Sequence, residues 1–293
     1  MADVCGKYDG ETLREIGPHL GLEADKFLDI EKAREEVNKI AGDTGAEINY
    51  ALTSLGTWRN PGTGEYLSID GEWGGIGEDD PEEFFRQINN ARLELRRPGG
   101  EVPKNEKWYA KIGGHFPEKL LPMLKAHSHL FDGLKIGAFR TPDFDLLDQK
   151  YEELWKFCEE MEWPVLIHCS SSNDQDCFRI FGLAQRYPRA RFCASHMGGD
   201  NPKEIEQRAK SLRRARTPHR NFFLNTAVED LRMVRKAISM WPKLLDSLVI
   251  GSDIPFLGDD YSKAIQRISD HFSERELKRI VANGKRFLGN GGR

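Results

Sequence analysis

The sequence predicts an α/β protein of the (β/α)8 TIM-barrel class, with its first strand shortened or degenerate. Three observations lead there. From about residue 46 onward, short apolar runs alternate with longer amphipathic ones, the pattern of parallel strands joined by right-handed helical crossovers. Seven such strands can be counted between residues 46 and 253, one short of a closed barrel. The length, 293 residues, exceeds that of an average domain but is ordinary for a single barrel. A doubly wound open sheet is the alternative, although no GxGxxG follows the first strand.

Taken in order, "AEINYALTS" (46–54) reads as a strand preceded by the helical "DIEKAREEVNKIAGD". A polar, glycine-rich section follows. Its composition suggests a loop insertion at about 55–80, running over the surface as a lid or a disordered excursion before a helix near 81–95. "KWYAKIGGH" (107–115) is a strand and "PEKLLPMLKAHSHL" (117–130) a helix with proline in its first turn. "GLKIGAF" (133–139) is a strand, "DFDLLDQKYEELWKFCEEME" (143–162) a helix, and "PVLI" (164–167) a buried strand. The alternation continues through "QDCFRIFGLAQRYP" (helix), "RFCASH" (191–196, strand) and "PKEIEQRAKSLRRAR" (202–216, helix). It closes with "NFFLNTA" (221–227, strand), "VEDLRMVRKAISMW" (helix), "SLVIGSD" (247–253, strand) and the helix "ERELKRIVANGKRFLG" (274–289). No internal repeat interrupts residues 1–293, which read as one domain.

Composition narrows the partners. Hydrophobic residues make up 39% and charged residues 31%, enough for a large core under a solvated surface. A formal net charge of -4 gives no electrostatic reason to expect nucleic acid or an acidic membrane. No apolar run approaches the roughly 20 residues that span a bilayer. "MADVCGKYDG" lacks the basic and apolar regions of a signal peptide, so the expectation is a cytoplasmic protein. The five cysteines are odd in number and form no CxxC pair, which suits reduced thiols better than a disulfide framework. The surface helices allow a homo-oligomer, with no patch that marks an interface.

Ligand-type side chains stand at three strand ends: His168 in "LIHC", His196 in "ASHMGG" and Asp253 in "GSDIPF". Singly, each has a structural reading, as a core histidine, a loop hydrogen bond or a turn cap. Barrel sites are built where strands end, and a histidine–histidine–aspartate set suits one divalent ion, zinc on donor type with manganese or iron as alternatives. A divalent ion makes hydroxide available near neutral pH, a carboxylate can accept and pass on the proton, and an imidazole can hydrogen-bond a developing oxyanion.

From about Ala46 to Leu288 the chain resembles the metal-dependent amidohydrolase superfamily, in its branch of single-metal hydrolases and decarboxylases. The resemblance is carried by "GLKIGAF", "WPVLIHC", "RFCASHMGG", "NFFLNTA", "LVIGSDIPF" and "ERELKRIVANGKRFLG", in family order. It implies that His168, on the fifth strand, binds metal. It implies that His196, on the sixth, binds metal or polarises the reacting group. Asp253, on the eighth, would bind metal and take the proton of bound water. The family's first strand ends in His-x-His; here "DVCGKYDG" stands in that place without either histidine. Asp3 and Cys5 have the i, i+2 spacing of one strand face. "HSH" (His127, His129) lies between a helix and the next strand, at the non-catalytic end of a barrel.

Lys135, in "GLKIGAF", can hold a substrate anion or pair with an acid. Arg140, just beyond that strand, can grip a substrate carboxylate bidentately. His115, after "KIGG", and Asn225, in "FFLNTA", are candidate pocket groups. The expected function is a metal-dependent hydrolase of a small acid, amide or lactone. The alternatives are a non-oxidative decarboxylase on the same scaffold, or a metal-free barrel that has lost activity.

Overall fold

A computed structural model describes residues 3–5, 50–53, 57–59, 66–68, 80–89, 106–112, 117–136, 145–169, 176–199, 220–228, 230–251 and 261–289, with helical residues at 35, 38, 39, 205 and 210. Eight strands form one sheet in sequence order: β1 (Asp3–Cys5), β2 (Tyr50–Thr53), β5 (Glu106–Ile112), β6 (Gly133–Ile136), β7 (Pro164–Ile167), β8 (Arg191–Ala194), β9 (Phe222–Asn225) and β10 (Leu248–Val249). Every described pairing in this sheet is parallel, with helices in the connections, which is the (β/α)8 arrangement. The eighth strand that the apolar pattern left uncounted is β1, which pairs with β2 from Asp3↔Ala51 to Cys5↔Thr53.

The connecting helices are α1 (Pro81–Ile88), α2 (Pro117–Ala126), α3 (Glu152–Glu160), α4 (Asp176–Arg186), α5 (Leu231–Met240), α6 (Tyr261–His271) and α7 (Glu274–Leu288). Two are shorter than their sequence periodicity predicts. The 117–130 segment leaves the α-helix at Ala126, and Ser128 Oγ turns back to donate to the Lys125 carbonyl at 2.9 Å. In the 143–162 segment Asp148 accepts from the Lys150 N–H at 3.0 Å, so the helical run starts only beyond this cap. Within the glycine-rich 55–80 section the chain forms an antiparallel pair, β3 (Thr57–Arg59) with β4 (Tyr66–Ser68), and β3 lies against α1.

Alternation along the strands divides the core in two. Trp108, Leu134, Ile136, Val165, Phe192 and Leu224 pack outward against helix residues such as Trp155, Ile180 and Leu231. Tyr109, Leu166, Cys193, Phe223 and Val249 face inward and pack with Phe287 and Leu288 from the end of α7. Phe287 sits 5.3 Å from the Phe223 ring and 6.4 Å from that of Tyr109, and Arg191, opening β8, donates from Nε to the Phe287 carbonyl at 2.7 Å. The closing helix therefore fills the barrel interior from the end where the strands begin. That leaves the opposite end, where the strands stop, for the site. Cys158, Cys169, Cys177 and Cys193 are buried. Among the described residues no helix is long and apolar enough to cross a membrane.

At the start of α7, Ser273 and Glu276 form a capping box, and Glu276 receives Arg235 Nη1 of α5 at 2.6 Å. Arg235 foremost, with help from Ser273, pushes the Glu276 carboxyl down to about 2.

Two predictions follow from this packing. Phe287→Ala should cost about 3–5 kcal/mol, because a large fully buried ring is removed from a site that neighbours cannot refill; a urea midpoint at unchanged m-value measures it. Glu276 has a depressed folded pKa, so its stabilisation is present above the unfolded carboxyl range and is lost as pH falls toward about 2. The gap in melting temperature between the natural protein and Glu276→Gln should therefore be full at neutral pH and close on acidification.

Candidate active site

Parallel register brings the strand ends side by side. Ile136 pairs with Ile167, Ile167 with Ala194, and Ala194 with Leu224. His168 follows β7 directly, and its N–H still donates to the Ile136 carbonyl at 3.0 Å, so the ladder fixes its backbone. Beyond β8, residues Ser195–Gly198 form a tight turn. His196 (φ 52°, ψ 40°) and Met197 (φ 57°, ψ 23°) are both left-handed, and Gly198 (φ 82°) and Gly199 (φ 141°) continue the positive φ values. Such a backbone costs a non-glycine residue about 1–2 kcal/mol, and strain of this kind collects at functional sites.

Three contacts hold the turn. The His196 N–H donates to Asn225 Oδ1 at 2.8 Å, the Gly199 N–H donates to the His196 carbonyl at 2.9 Å, and His196 Nδ1 faces the Ala227 carbonyl at 2.6 Å. A carbonyl only accepts, so this contact asks for a proton on Nδ1, which in a neutral ring leaves the lone pair on Nε2. Nε2 lies 3.2 Å from His168 Nδ1, with the two rings inclined at 67°. His196 is 8% exposed and His168 half-buried. Asn225, the last residue of β9, is fully buried, and its Oδ1 also receives the Ala227 N–H at 3.3 Å. Two polar atoms beside this arrangement, Ser195 Oγ and Asn225 Nδ2, are buried without a hydrogen-bond partner among the described residues. Gly251 presses on the same amide: a Cβ there would stand 2.8 Å from Asn225 Cγ and Nδ2.

Of the sequence-predicted site residues, the structure thus brings His168, His196 and Asn225 together. Lys135 is half-buried on β6, in a line of register partners running Lys111, Lys135, Leu166, Cys193, Phe223. Lys111 joins it there, only 4% exposed. Sequence reasoning passed over Lys111, although its place in "KWYAKIGGH", two residues from inward-facing Tyr109, carries the signal. Asp253, Arg140 and His115 lie outside the described residues. Among the described residues no group of three or more His, Cys, Asp or Glu side chains converges. His127 is half-buried and stacks on Phe85 at 5.9 Å between ring centroids, away from the strand ends, while His129 is exposed.

A parallel barrel with paired histidines where its strands end is the architecture of a barrel enzyme. The sequence profile of the amidohydrolase family matches residues 109–279, more than half of the chain. The chain belongs to the amidohydrolase family. No curated protein matches it. Solved structures share the fold at low identity. A 2,6-dihydroxybenzoate decarboxylase from Rhizobium is 17% identical with a TM-score of 0.65, covering 99% of this chain and 98% of that one. A 4-oxalomesaconate hydratase from Rhodopseudomonas palustris is 15% identical with a TM-score of 0.58, covering 98% and 95%. A protein assigned as a 2-pyrone-4,6-dicarboxylic acid hydrolase from Pseudomonas putida is 11% identical with a TM-score of 0.61, covering 98% and 96%.

At Gly198, where φ is 82°, an added Cβ meets the left-handed penalty. Gly198→Ala should lose about 1–2 kcal/mol in chemical denaturation.

Proposed function

We propose that this chain is a metal-dependent hydrolase of a small acid, amide or lactone. His168, His196 and Asp253 would hold one divalent ion, zinc on donor type with manganese or iron as alternatives. The observation that carries the reading is the 3.2 Å contact between His168 Nδ1 and His196 Nε2. Two nitrogens bonded to one tetrahedral zinc at about 2.0–2.1 Å lie about 3.3 Å apart, so rings spaced this way suit an ion with little movement. The same spacing is a hydrogen bond when no ion lies between the rings. Once bound, the ion supplies Lewis acidity, which polarises a carbonyl and brings the pKa of water toward neutrality.

The remaining work belongs to the side chains. Asp253 takes the proton of the attacking water and returns it to the leaving group. His196 presents its Nε2 lone pair to the ion or to a proton. Lys135 and Arg140 would hold a substrate carboxylate, His115 would be a further substrate contact, and Asn225 would act from behind His196. The reading takes residues 1–293 as one catalytic domain, with a loop insertion at about 55–80. The buried Cys158, Cys169, Cys177 and Cys193, with no CxxC pair in the chain, suit a reducing cytoplasm. The substrate is a small molecule, and neither nucleic acid nor membrane is a partner; a homo-oligomer is compatible with the surface helices.

The second reading is non-oxidative decarboxylation with the same residues. It is supported by the family's breadth, since a 2,6-dihydroxybenzoate decarboxylase shares the fold over 99% of this chain.

Metal analysis by plasma mass spectrometry, on protein purified without chelator, tests both. About one zinc, manganese or iron per chain is expected, and it should be lost in His168→Ala. Metal at the level of that variant would overturn both enzyme readings and leave the metal-free barrel. With metal present, turnover of carboxylated aromatics and lactones separates them: carbon dioxide marks the decarboxylase, a ring-opened or free acid the hydrolase.

A further inference from the structure

We infer that Asn225 is a positioning residue that decides which ring nitrogen of His196 carries the proton, and so makes Nε2 an acceptor rather than a donor. The inference rests on the reading of His196 as a site residue, but the geometry behind it needs neither metal nor turnover.

One oxygen ties both ends of the contact that sets the tautomer. Asn225 Oδ1 accepts from the His196 N–H at 2.8 Å and from the Ala227 N–H at 3.3 Å. Ala227 in turn offers its carbonyl to His196 Nδ1 at 2.6 Å. The amide therefore holds the backbone that bears the ring and the backbone that receives the ring's proton, in one closed loop of three hydrogen bonds. Removing the oxygen would deprive two buried N–H groups of this acceptor and take away a bond that offsets the left-handed strain at His196.

The amide has no freedom to turn over. Its oxygen faces two donors, and its nitrogen lies against Gly251, where even a Cβ would stand 2.8 Å from Nδ2. Among the described residues that nitrogen has no hydrogen-bond partner. The site thus uses the oxygen alone, and an aspartate at this position would do the same work. The chemical consequence is specific. With Nδ1–H committed to the Ala227 carbonyl, neutral His196 cannot donate from Nε2 to an oxyanion; it offers a lone pair to a cation or to a proton.

The test is the ring tautomer of His196, read from two-bond 1H–15N correlations in chelator-stripped, 15N-labelled protein with neutral imidazoles, and assigned by the peaks lost in His196→Gln. The natural protein should hold the proton on Nδ1. Asn225→Ala should lower the Nδ1–H preference on the order of tenfold, and Asn225→Asp should keep it. A proton on Nε2, or a mixture, in the natural protein overturns the inference. So does an undiminished Nδ1–H preference in folded Asn225→Ala. If the alanine variant does not fold, a folded Asn225→Asp that has lost the preference overturns it equally. Protein that binds no metal yet keeps the Nδ1–H tautomer would sink the hydrolase reading and leave this one standing.

Discussion

The in-register parallel pairing of β7, β8 and β9 is the constraint on which the site depends. Parallel strands all leave the sheet at the same end, so the residues after Ile167 and Ala194 emerge as neighbours, beside Asn225 at the end of β9. A slip of one residue in any of the three would turn its side chain from the barrel axis to the helix layer. Register alone still does not bring two imidazoles into contact. That requires the chain after β8 to reverse at once, and the left-handed pair His196 and Met197 performs the reversal.

The turn is finely balanced. Two non-glycine residues in the left-handed region cost about 1–2 kcal/mol each, while a single buried hydrogen bond returns only about 1 kcal/mol. The three hydrogen bonds at His196 and the burial of the Met197 side chain, 3% exposed, oppose this cost. A small loss at Asn225 therefore reaches the histidine ring directly. The opposite end of the barrel is built with more margin. There Phe287 fills the interior and Arg191 satisfies a carbonyl at the end of α7, and neither has to take an unfavourable backbone angle.

The first strand shows how far fold and site chemistry separate. The family's His-x-His is absent from "DVCGKYDG", yet Asp3–Cys5 pairs with β2 in parallel register. A strand ladder is made by backbone N–H and C=O groups, which every non-proline residue supplies, so the barrel keeps its eighth strand whatever side chains stand there. Side-chain chemistry has no such tolerance, which is why membership of the family fixes the scaffold here more firmly than it fixes the reaction.

Much of this was legible in the linear chain. Alternating apolar and amphipathic runs announced parallel strands and crossover helices, because burial on both faces demands continuous hydrophobic strands. The position of His168 after "PVLI" and of His196 after "RFCA" announced two polar groups at neighbouring strand ends. Helix starts were less legible, since at Asp148 a single side-chain cap overrode a longer periodic pattern. The strand face of Lys111 was legible in "KWYAKIGGH", but its pairing with Lys135 exists only across strands, between residues 24 positions apart. The tautomer of His196 was hidden for the same reason: it depends on Asn225 and Ala227, 29 and 31 residues along the chain. By itself the sequence determined the class of fold and the residues at the strand ends, since local periodicity sets both. Only the tertiary structure decided which atoms of those residues meet, because hydrogen-bond partners so far apart in sequence are chosen by register and by the space that Gly251 leaves.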